Sequence, residues 1–124
     1  MKLSSVAALL NGQISAAQFS AEISDAIENY EQALQPRGGS VPIQLTEDTE
    51  LFVAENHIGV LCLLFASDLL SVNELAYVAD ALELSEQVHF ESDFVRSSIS
   101  EMTDPEINGT FSKERAFELM THAV

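Results

Sequence analysis

Three histidines, one cysteine and 20 carboxylates are the groups through which this 124-residue chain could do metal, nucleophilic or acid–base chemistry. A zinc site needs three or four convergent ligands. His57, His89 and His122 are far apart in sequence, and none forms a His-x-x-x-His pair. His57 and Cys62 are five residues apart, which on a helix turns them in different directions. Cys62 lies in an apolar run and reads as a small core residue, with His57 at the boundary of the same helix. No Gly-x-Ser-x-Gly elbow, P-loop or dinucleotide fingerprint occurs. The stretch Asp104-Pro-Glu-Ile-Asn-Gly109 echoes a calcium loop but lacks its ligand spacing and closing Glu. Paired carboxylates can serve as general acid and base. None of them sits in a Gly-rich or strand-end setting that would build a pocket. The expectation is a protein that is not an enzyme and has no cofactor or metal.

What remains is the charge. Asp and Glu number 20 against 5 Lys and Arg, a formal net charge of −15, while 47% of residues are hydrophobic. That hydrophobic share separates the chain from disordered acidic tails. Repulsion among surface carboxylates destabilises a compact state, so the surplus demands a reason. Solubility alone calls for a net charge of magnitude about 2 to 8 in a small domain. A basic protein partner supplies the reason, and nucleic acid is disfavoured as a ligand because its phosphates would be repelled. One cysteine cannot form an internal disulfide, so nothing suggests an oxidising compartment. The opening MKLSSVAALLNGQIS shows no Ala-x-Ala cleavage site. The longest apolar run, Ile58 to Ala66, is too short to cross a bilayer. The expected protein is cytoplasmic, away from membranes and monomeric when free.

The elements that must carry this charge are helices. Leu3, Val6, Ala7 and Leu10 share a helical face, which Asn11-Gly12 terminates. Ser15-Ala-Ala-Gln18 is a capping box. It starts a helix with Phe19, Ile23, Ala26, Ile27, Tyr30 and Leu34 on one stripe. Pro36-Arg-Gly-Gly-Ser40 stops that helix, and Val41 to Leu45 reads as an extended segment. Thr46 to Glu50 then reads as an acidic helix start. The helix predicted from there to about Leu70 is apolar over much of its circumference, Leu51 and Phe52 included, and should be central. Gly59 within it suggests a close helix–helix contact. Ser71-Val-Asn-Glu74 is a second capping box, followed by a stripe of Leu75, Val78, Ala79 and Leu82. Glu86 to Glu91 fits either a short strand or an irregular loop. Asp93 to Met102 reads as helix, Asp104-Pro-Glu106 as a turn broken by Gly109, and Ser112 as the cap of a last helix carrying Ala116, Phe117, Leu119 and Met120. The prediction is one all-α domain over residues 1–124, a single compact bundle of five to six helices.

Two acidic regions stand out. The first is Glu47, Asp48, Glu50 and Glu55, which also fits the role of helix-start carboxylates. The second is Asp80, Glu83, Glu86, Glu91 and Asp93, interleaved with Tyr77, His89 and Phe90. Aromatic anchors among charged residues are what protein interfaces favour, so these eight residues form the candidate partner-binding set. A merely soluble helix end and loop would have the same composition.

Leu9-Leu-Asn-Gly-Gln-Ile-Ser-Ala-Ala-Gln-Phe19 resembles the opening of bacterial toxin-immunity proteins of the colicin-like and contact-dependent-inhibition type. The stretches Leu64–Ser71, Glu74–Leu82 and Ser112–Met120 are similar in style to that family. The shared features are caps and core positions, and no catalytic motif comes with them. The resemblance implies a protein that binds one cognate toxin domain, such as a nuclease, through that toxin's basic surface. Two other classes compete: an acidic nucleic-acid mimic aimed at another basic protein, for example a phage-encoded one, and a small helical ligand-binding domain.

Overall fold

The computed structural model describes residues 1–34, 45–103 and 111–123. Among them the chain forms six helices and one pair of short strands, a mostly helical bundle as the periodicity predicts. In order these are α1 (Leu3–Leu10), α2 (Ala16–Leu34), β1 (Leu51–Val53), α3 (Glu55–Ala66), α4 (Val72–Leu84), β2 (Val88–Phe90), α5 (Asp93–Met102) and α6 (Lys113–Ala123). The predicted Pro36–Ser40 stop, most of the Val41–Leu45 segment and the Asp104–Gly109 turn lie outside the described residues.

The local start signals work as their chemistry dictates. At α2, Ser15 N–H donates to Gln18 Oε1 (2.9 Å) and Gln18 N–H donates to Ser15 Oγ (3.1 Å). At α4 the same reciprocal pair joins Ser71 and Glu74, at 2.8 and 3.1 Å. Ser112 Oγ accepts from Arg115 N–H (3.1 Å) at the start of α6. Helix α3 is central, packing on α1, α4, α5 and most extensively α6. Its Ile58, Leu61 and Cys62 are fully buried, with Phe65 nearly so. Burial pushes the Cys62 thiol up to about 12, so it stays protonated and acts as an apolar core group.

Three expectations are corrected. The central helix begins at Glu55, not at Thr46–Glu50, because Leu51-Phe52-Val53 alternates inward, outward, inward and pairs as a strand with Val88–Phe90. It ends at Ala66, where Asp68 takes a left-handed turn (φ 62°). Gly59 does not mark a close helix contact: a Cβ placed there would meet nothing within 4 Å. Phe117 does not join the core stripe of α6 but is 57% exposed.

The strand pair is parallel, with Leu51 opposite Val88, Phe52 opposite His89 and Val53 opposite Phe90. Helices α3 and α4 form the crossover between the two strands. Leu51, Val53 and Val88 turn into the core, and Phe90 is half-buried against it. The other face of the pair is open.

Candidate protein-binding surface

The strand pairing joins what looks like two acidic regions in sequence. Glu47 lies beside the end of α4, where its Oε1 accepts from Ser85 Oγ (2.5 Å) and Glu86 N–H (3.0 Å). The Ser85 hydroxyl is the main cause that holds the Glu47 carboxyl below its ordinary range, against some desolvation. Glu91, at the end of β2, accepts from the Glu55 N–H (2.8 Å) and so caps α3. Glu47, Glu50 and Glu55 from one stretch therefore share a surface with Glu86 and Glu91 from the other.

Asp48 turns elsewhere. Helix α1 has no cap of its own, and Asp48 supplies one: Ser4 N–H donates to Oδ1 (2.9 Å) and Ser4 Oγ donates to Oδ2 (2.6 Å). These bonds keep the Asp48 carboxyl below its usual range. Leu3 N–H also reaches the Thr46 carbonyl at 2.9 Å. The far end of α1 is held by the central helix. His57 Nδ1 accepts from Ala54 N–H (3.0 Å), which leaves the ring proton on Nε2, donating to Asn11 Oδ1 at 3.2 Å. Burial depresses the His57 pKa, and the nearby Glu91 charge opposes that only in part. His57 is thus buried and bonded on both nitrogens, a cap of α3 as well as a boundary residue.

The eight predicted residues divide under this geometry. Tyr77 is a correction: it is 1% exposed, in a stretch of α4 buried from Leu75 to Ala79, and cannot anchor a partner. Helix α4 packs against α2 on one side and α5 on another, which buries a face that a single-stripe reading leaves outside. Phe90 is half-buried, and the Arg96 guanidinium sits 5.0 Å above its ring. Asp80 is half-buried on α4. Glu83 is exposed and accepts from Ser100 Oγ (2.9 Å), tying α4 to α5. Glu86, His89, Glu91 and Asp93 are exposed. The surface that unites them is the open face of the strand pair and its rim.

One member was missed. Phe52 is 59% exposed and stands directly across from His89. Its signal was the alternation in Leu51-Phe52-Val53, masked by the apolar helix that follows. Among the described residues, three of the chain's cations are engaged as follows. Lys113 pairs with Asp68 (2.7 Å), Arg115 pairs with Glu101 (2.7 Å) and Glu118 (3.5 Å), and Arg96 lies on Phe90.

Such a surface can bind positive charge. Among the described residues, no group of three or more His, Cys, Asp or Glu is placed to hold a metal, and no helix is long and apolar enough to cross a membrane. Comparison with protein-family models, curated proteins and solved structures gave no match to this chain.

Proposed function

We propose that this protein is an immunity-type inhibitor that binds a cognate toxin domain, a nuclease, through its acidic surface. The observation that carries the reading is the joining of two acidic stretches into one face beside β1 and β2 on a chain of net charge −15. A nuclease cleft must attract phosphate and is therefore basic. An acidic protein competes for that cleft by charge, and complementary charge raises association rates to roughly 10⁸–10⁹ M⁻¹s⁻¹ at low salt. The resemblance of Leu9–Phe19 to the start of toxin-immunity proteins points the same way. On this reading the protein acts in the cytoplasm, as a monomer until it meets its target, and performs no catalysis.

Co-expression with the toxin domain encoded beside it tests the proposal. Restored growth, with a one-to-one complex whose association rate falls steeply with salt, supports it. Unrescued growth with a toxin shown to be active overturns it.

A further inference from the structure

A single exposed apolar side chain is ordinary on a protein surface. Phe52 differs in its setting. It occupies the middle of β1 on the open face of a two-stranded sheet. Strand alternation places Glu50 on the same face of β1, and His89 and Glu91 on the same face of β2. Glu50, His89 and Glu91 are all exposed. The same small sheet already shows what its aromatic rings do with a cation: Phe90 carries the Arg96 guanidinium at 5.0 Å. Among the described residues, no cation of this chain covers Phe52 in that way.

We infer that the open β1–β2 face, centred on Phe52 and flanked by Glu50, His89 and Glu91, is a docking site for an arginine side chain of a basic protein. This deepens the proposed function and rests on its premise of a basic partner. The guanidinium stacks on the Phe52 ring while Glu50 and Glu91 accept its N–H groups. Charge selects the occupant. A second copy of this chain brings another −15 and is repelled. A neutral apolar partner would leave the flanking carboxylates desolvated without a counter-charge.

The test uses the full chain, labelled with ¹⁵N, and a blocked hexa-arginine peptide as probe at low salt. The expected result is saturable shifts centred on Phe52, His89, Glu50 and Glu91. Phe52→Ser should weaken binding about tenfold, as loss of a stacked cation predicts, while Phe52→Trp retains it. Phe52 is exposed, so Phe52→Ser should keep the wild-type melting curve, which separates lost contact from lost fold.

Shifts centred on α2 at Glu22, Asp25 and Glu28, no binding, or equal affinity of Phe52→Ser would overturn the inference. A Phe52-dependent dimer in sedimentation would overturn the choice of occupant. The two proposals fail separately. If the toxin domain binds Phe52→Ser as tightly as wild type, the docking site falls and the immunity reading stands. If hexa-arginine binds at Phe52 but the wild-type chain rescues nothing, the reverse holds.

Discussion

Gly12 and Gly59 offer one substitution with two opposite outcomes. At both positions a new Cβ meets nothing within 4 Å, so sterics cannot separate them. Their backbones can. Gly59 lies inside α3, where Gly is less favourable than Ala by about 0.8–1.0 kcal/mol. Gly12 follows α1 with φ +72°, a region that costs a side chain about 1–2 kcal/mol. Gly59→Ala should therefore stabilise the protein by about 1 kcal/mol, and Gly12→Ala should destabilise it by a similar amount or more. For a domain of this size 1 kcal/mol corresponds to a shift in Tm of about 3–5 °C. In urea it moves the midpoint by about 0.5 M, with unchanged slope. Paired urea titrations of wild type and both variants, followed by far-UV circular dichroism, measure this directly. A destabilised Gly59→Ala would mean that something packs on that face of α3 after all. A neutral Gly12→Ala would mean that the turn after α1 relaxes freely, and the account of how α1 ends would be wrong.

Stability should also fall with acid in a defined window. The folded His57 pKa lies below 6.5, so the unfolded chain takes up the extra proton first; stability is complete above 6.5 and declines as pH drops below it. Urea midpoints at pH 7.5 and 5.5 should show this decline in wild type and a smaller one in His57→Asn. Glu47→Gln and Asp48→Asn should each lower the melting temperature, since both carboxylates bind groups of the chain itself, whereas Glu86→Lys should leave it unchanged. With the cognate partner in hand, stopped-flow mixing should show slower association for Glu86→Lys, and an unchanged rate would exclude that residue from the approach face. Buried Cys62, its thiol pushed up to about 12, should resist iodoacetamide in the native protein and react on unfolding, as mass spectrometry would show.

The capping boxes at Ser15 and Ser71 and the Ser112 cap were legible because each is a bond between residues three apart. Apolar spacing likewise revealed the core face of α2, where Phe19 and Ile23 are fully buried. The strand pair was not legible in the same way. Three residues carry too little period to oppose an apolar helix beginning at Glu55, and the partner of Leu51 lies beyond two intervening helices. The reading of the surface failed where it depended on that pairing. Tyr77 counted as an anchor because a stripe model gives α4 one buried side, and Phe52 counted as core because it was placed on a helix. Sequence also cannot tell a carboxylate that serves the fold from one that faces solvent. Glu47, Asp48 and Glu91 hold backbone or hydroxyl groups of distant elements, and only coordinates reveal those partners.

Helix α1 shows what such distant bonds mean for the order of events during synthesis. Eight residues are too few for a helix to persist alone in water. Beside its packing on α2 and the Ser5–Glu22 bond, the groups that hold its ends are the Thr46 carbonyl and Asp48 carboxylate at its start and the His57 ring, through Asn11, just past its end. All of them leave the ribosome after it. The segment made before its own clamps must wait for the start of α3, so α1 settles late although it is translated early. Its amides should then exchange with solvent by local opening, ahead of those in the core of α3, because the bonds that clamp its start are exposed.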